Sequence, residues 1–231
     1  MQLAAFHPFY RNHNDHRALR HEPYQWEDEE ELFAIDRQFL VGRGVLVTSV
    51  LEPGATTVDG FFPGTTSGVV WRDWYTHKRV AVVHGRATLS APLGHINVHV
   101  RSGTALLLHA SPGYTTTETR DGPYGLLVVL DDTGYAFGTA YIDDGISDPP
   151  GPSTTIVITT TAAEVDVSAQ GGWKIASRLV KITVLGVKGR PKGVTIARKN
   201  VKAWKFDEAV ERLVVNDLGV DLNEGMRLGW K

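Results

Sequence analysis

Cysteine is absent from all 231 residues, which excludes disulfides, thiolate catalysis and Cys-ligated zinc. Neither charge sign dominates: 24 Lys and Arg stand against 26 Asp and Glu, a formal net charge of -2. A general nucleic-acid binder would show a clustered basic surplus, so nucleic acid is not an expected partner. No apolar run approaches the roughly 18 residues that a membrane span needs, so no membrane role is expected either. The opening "MQLAAFHPF" lacks a basic segment ahead of a clean apolar core and shows no recognisable signal peptide. There is no Asn-x-Ser/Thr sequon, no G-x-S-x-G elbow, no Walker loop and no dinucleotide fingerprint. Cofactors are therefore expected to be none.

What is present is a β pattern. "FLVGRGVLVTSVL" (39–51), "RVAVVHG" (79–85), "HINVHVRSGTALLLH" (95–109) and "YGLLVVLDD" (124–132) are rich in Val, Leu, Ile and aromatics, and each ends in a turn signal. "AFGTAYIDDG" (136–145), "STTIVITTT" (153–161) and "RLVKITVLGVKG" (178–189) continue the series. Strands this close, with no helix-length periodic segments between them, point to antiparallel sandwiches rather than βαβ units. Residues 206–215, "FDEAVERLVV", fit a helical stripe and a strand pair equally well. Polar and turn residues in "ASPGYTTTETRDGP" (110–123) separate two apolar blocks and mark a domain boundary.

Chemistry-bearing residues are concentrated at the start. "AAFHPFYRNHNDHR" (4–17) packs aromatics, three histidines and two arginines together, and "EDEEE" (27–31) follows as the one charge run. His13 and His16 lack a third ligand at a spacing suited to zinc, so no metal site is expected. His95 and His99, four apart on a strand, would stand about 13 Å from each other and cannot share an ion. Asp143 and Asp144 in "YIDDG" point to opposite strand faces, which makes a turn capped by its own Asp side chain the better reading than an acid/base pair. "WRDWYT" (71–76) clusters aromatics that suit either core packing or a platform for sugar rings.

Taken in order, these segments resemble glycoside hydrolase family 31, the α-glucosidase family. "MQLAAFHPFYRNHN" followed by "EPYQW" is similar to the end of the family's catalytic barrel, and "FAIDRQFLVGRGVLVTSVLEPGATTVDGFFP" (33–63) to the stretch that follows it. The likeness continues through "WRDWYT", "LSAPLGHINVHVRSG" (89–103), "PGYTTTETRDGPYGLLVVLDD" (112–132), "YIDDGIS" (141–147) and, more weakly, "KITVLGV" (181–187). It implies an all-β chain: two consecutive antiparallel β-sandwich domains preceded by a short remnant of a (β/α)8 barrel. The remnant would be residues 1–26, a proximal sandwich 27–111 and a distal sandwich 112–231. It also resolves residues 206–215 toward strands, with the last pair closing near Trp230.

The resemblance further implies retaining hydrolysis of α-glucosidic bonds, with α-glucosides or maltooligosaccharides as ligands of a completed site. His13 matches the histidine that binds sugar in the −1 subsite, supported by Arg11 and Asn12. The family's nucleophile and acid/base both precede the "MQL" motif, so no catalytic residue is assigned in this chain. A helical stretch of several tens of residues is expected between Trp26 and Glu27 and is missing. Ser102 stands where the family favours Gly, and Ile146 where it favours Glu or Gln. An inactive C-terminal portion is the favoured reading. An enzyme subunit completed by a chain carrying the rest of the barrel, and a carbohydrate-binding module using Trp71, Trp74 and Tyr75, are the alternatives.

Overall fold

The computed structural model describes Leu19–Arg20, Leu32 and residues 34–231 except residue 162. His13, Arg11, Asn12 and the acidic run therefore lie outside the described residues. The chain divides into two compact units, one ending at Ser102 and the other running Gly103–Lys231. Sequence reading puts the break later, between residues 111 and 112. The difference is the segment "TALLLH", which pairs along its whole length with "YGLLVV" and so belongs to the second unit.

The first unit holds β1 (Leu19–Arg20), β2 (Gln38–Val41), β3 (Val45–Thr48), β4 (Thr57–Phe61), β5 (Trp71–Asp73), β6 (Arg86–Ser90) and β7 (Asn97–Arg101). Five form an antiparallel sheet in the order β1-β2-β3-β7-β5, while β4 and β6 pair separately. Burial alternates along β2, whereas every residue of β3 is buried, as expected for a central strand. Leu40, Leu46, Phe62 and Trp71 make the apolar centre. Gln38 ties β4 to the sheet: its Nε2 donates to the Phe61 carbonyl at 3.1 Å and its Oε1 accepts from the Phe61 N–H at 2.7 Å. The expected strand at "RVAVVHG" does not form. Residues 79 and 83 make only isolated bridges, and His84 and Gly85 turn with φ of 48° and 75°. Apolar and β-branched though it is, the segment lacks a neighbouring strand to complete a ladder, and Val80 and Val82 pack on the core as loop residues.

The second unit contains β8 (Thr104–His109), α1 (Thr116–Asp121), β9 (Tyr124–Val129), β10 (Phe137–Ile142), β11 (Thr154–Thr161), β12 (Glu164–Gly171), β13 (Leu179–Leu185), β14 (Val194–Ile196), β15 (Lys199–Val201), β16 (Trp204–Asp207), β17 (Arg212–Val215) and β18 (Met226–Trp230). They form one nearly closed sheet in the order β15-β14-β18-β12-β11-β10-β8-β9-β13-β17-β16. Its two halves meet at β8 and β10 through a single pair, Phe137 with Thr104. Gly138 stands at this seam, where any Cβ would collide with the Ala105 backbone. Both halves feed one apolar core, with Val128, Ile182 and Val184 from one and Ile156, Ile158 and Val165 from the other.

This sheet is mixed, which corrects the purely antiparallel expectation. β9 runs parallel to β13, and β8 parallel to β10. Absence of long helices argues against βαβ units, but a chain can cross from one half of a folded sheet to the other through strands. Residues 206–215 resolve as strand, 3-10 turn and strand, within β16 and β17, and β18 ends at Trp230 between β12 and β14. The helix α1 sits where sequence reading saw only a linker. Its capping box is legible in hindsight: Thr115 Oγ1 accepts from the Glu118 N–H at 3.1 Å, and the Glu118 side chain returns to the Thr115 N–H. Among the described residues no helix is long and apolar enough to cross a membrane.

Candidate functional site

Carboxylates are the first groups to examine for acid/base chemistry, and here the conspicuous ones hold turns. Asp143 Oδ1 accepts from the Gly145 N–H at 2.8 Å, and Asp144 Oδ1 from the Ile146 and Ser147 N–H groups at 3.0 and 3.1 Å. Asp144 Oδ2 also accepts from the Ser147 hydroxyl. The self-capped turn expected for "YIDDG" is what forms. Asp73 is similarly occupied, by the Tyr75 and Thr76 N–H groups and the Thr76 hydroxyl. Asp131 accepts from Thr133 and Tyr135.

The "WRDWYT" aromatics are not a sugar platform. Trp71 is 1% and Trp74 8% exposed. The Trp71 indole donates to the Pro63 carbonyl at 2.9 Å and its ring meets Phe62 edge-on. Only Tyr75 reaches solvent, and its hydroxyl donates to the Ile96 carbonyl. Packing wins because β5 lies beside β7 with its side chains directed into the core. His99, on β7, is buried edge-on against Phe62, and its Nδ1 has no partner among the described residues. Burial pushes its pKa down to about 4; the Asp73 charge pulls upward and His95 adds to the lowering. His95 lies before β7 in a turn and contacts Tyr75. No three His, Asp or Glu side chains among the described residues gather to hold a metal. Ser102 contributes what Gly lacks: its hydroxyl accepts from the Val70 N–H at 3.0 Å.

The second unit carries a cavity of about 350 Å³ between α1, the ends of β8, β9 and β10, and residues 173–177. His109 stacks on Tyr124 with ring centroids 5.0 Å apart, and its buried Nδ1 has no partner among the described residues. Burial, and then the Arg120 charge, lower the pKa of His109 from its ordinary value and favour the neutral imidazole. Arg120 projects from α1 across the acidic turn, where its Nη1 reaches the Asp144 carbonyl at 3.4 Å. Gly145, at φ 71°, lies under that guanidinium and has no room for a side chain. Sequence reading missed His109, Arg120 and Trp173 as neighbours. They are far apart in the chain, and only the capping box ahead of Arg120 marked one of them.

Comparison with known proteins settles the family. Residues 16–106 match the model described as glycosyl hydrolase family 31 C-terminal domain. The chain is 36% identical over 245 residues to glucoamylase 1 of Schwanniomyces occidentalis, with 87% of this chain and 26% of that protein covered. It is 37% identical over 240 residues to an α-glucosidase of Aspergillus niger, with 85% and 24% covered. The chain belongs to glycoside hydrolase family 31. It spans about a quarter of the length of these family 31 relatives, as a C-terminal portion. The fold agrees: the crystal structure of a glucosidase II alpha subunit bound to alpha3-Glc2 superposes with a TM-score of 0.80 at 24% identity, over 93% of this chain and 26% of that one. The glucoamylase alignment also runs longer than this chain's share of it. Its 245 positions against 87% of 231 residues leave more than forty positions without a counterpart here.

Proposed function

We propose that this chain supplies the C-terminal β portion of a family 31 α-glucosidase and that the 231-residue chain does not hydrolyse glycosides by itself. Retaining hydrolysis needs a nucleophile and an acid/base about 5–5.5 Å apart across the scissile bond. The observation that carries the reading is coverage: the chain corresponds to about a quarter of its relatives and to their C-terminal portion. In that layout residues 1–26 belong to the edge of the barrel, and a proximal and a distal sandwich follow, meeting at Ser102 and Gly103. His13, supported by Arg11 and Asn12, would hydrogen-bond a sugar hydroxyl in the −1 subsite once a barrel is complete. The unmatched positions of the relatives support a missing helical stretch after Trp26. Maltose and nitrophenyl α-glucoside test the reading directly. No turnover is expected, and measurable retaining hydrolysis by the purified chain overturns it.

A second reading has its own support. Val50, Leu51, Leu93 and Ile96 are 37%, 57%, 107% and 53% exposed. Val50, Leu51 and Ile96 follow or precede the last printed pair of β3 and β7, Thr48 with Asn97, and Leu93 lies in the turn before β7. An apolar end of this kind suits a covering partner, in keeping with a subunit whose barrel is carried by a second chain. Under this reading, adding a separately produced family 31 catalytic portion restores α-glucosidase activity, and His13→Ala lowers it roughly 10- to 100-fold.

A further inference from the structure

We propose that the cavity beside His109 is a binding site for one glucosyl ring of an α-glucoside. Its size is right: about 350 Å³ lies within the 300–1,000 Å³ typical of small-molecule sites. A hexose presents an apolar C–H face and a rim of hydroxyls, and the cavity offers a surface for each. The stacked His109 and Tyr124 rings, with Trp173, supply flat walls, and Ile146 at the rim is 80% exposed. The polar requirement is equally specific. His109 lines the cavity and its buried Nδ1 has no partner among the described residues; a hydroxyl both donates and accepts, so it suits either tautomer of such an imidazole. The charges nearby are mixed in sign, Arg120 and Lys174 against Asp121, Asp143 and Asp144. Asp143 and Asp144 are engaged by the backbone of residues 145–147, and Arg120 reaches across the same turn. A neutral, hydroxylated ring suits a lining of this kind.

Choosing an α-glucoside rests on the family 31 reading; the match to a hydroxylated ring does not. Saturation-transfer NMR and calorimetry with maltose on the full chain should show saturable binding with a millimolar Kd. Trp173→Ala and His109→Ala should each weaken it at least about tenfold, an effect of roughly 1.4 kcal/mol, while His109→Gln retains most of it. Trp204→Ala, on a different part of the second unit, should leave binding unchanged and controls for general damage. Thermal melts identify any variant that fails to fold, and the His109→Gln comparison then carries the decision. No saturable binding of maltose overturns the site, as does binding insensitive to both His109 and Trp173. Binding of cellobiose with maltose excluded overturns the α-glucoside assignment. None of these results bears on the hydrolysis assay, so failure here and failure of the proposed function are distinguishable.

Discussion

In the unit ending at Ser102 the buried polar residues are Gln38, Thr48, Arg72, Asn97, His99 and Ser102, whereas in Gly103–Lys231 those among the described residues are all threonines: Thr104, Thr119, Thr154, Thr160 and Thr183. A buried hydroxyl is satisfied by one or two backbone neighbours, as Thr160 is by Ala136 and Gly134. Long polar side chains instead bridge separate elements. Gln38 joins β2, β3 and β4, and Arg72 Nη1 donates to the His77 carbonyl. The first unit thus adds geometry-sensitive polar links to its apolar packing, whereas the second rests on one continuous apolar core. Polar links of this kind specify one arrangement but expose the fold to acid and to single substitutions.

Acid should bear on both units, through His109 in the second, and most heavily on the first through the deeply buried His99. The folded-state pKa of His99, about 4, lies below its ordinary 6.5, so the unfolded chain binds more protons between these values. Stability is therefore fully present above pH 6.5 and falls as pH drops toward 4, by about 3 kcal/mol in total. Hydrogen exchange in peptides from 34–102 should accelerate over that window. His99→Gln should flatten the dependence, and an unchanged slope in that variant would refute it.

A smaller contrast comes from matched substitutions. Gln38→Leu strands the Phe61 N–H and carbonyl and the Thr48 hydroxyl, at a cost of about 2–3 kcal/mol, whereas Thr160→Val should cost about 1 kcal/mol. Urea denaturation compares them, and equal costs would erase the distinction drawn between the units. The least effect on stability is expected at the exposed sheet end. Leu93→Glu with Ile96→Glu should shift stability by no more than about 0.5 kcal/mol yet reduce self-association, measured by sedimentation. Association that persists in the double variant would show that this end is not the sticky surface.

Strands were legible wherever β-branched runs ended in turn residues. The strands within 39–48 and 97–109 and the long strand at 154–161 all form. "RVAVVHG" misled because strand formation depends on a neighbour, which residue type does not reveal. The strand β12, "EVDVSAQG", was overlooked for the converse reason: polar residues fill its exposed face, and its partner β11 defines it. The family was legible because its motifs recur in order, and the "YIDDG" turn because an Asp side chain reaches its own backbone locally. The His109 cavity was not legible, since residues near 109, 120, 145 and 173 meet only after the sheet closes.

By itself the sequence determined the β character of the chain, its place in family 31 and the local capping of its acidic turns. All of these depend on residue type at short separation or on motif order. Tertiary structure decided that the Trp71 and Trp74 rings are core and not a sugar platform, that the large sheet is mixed, and that a histidine with an orphaned nitrogen faces a cavity. Each of these turns on which distant strands come to lie side by side, and that is fixed by competition for burial across the whole chain.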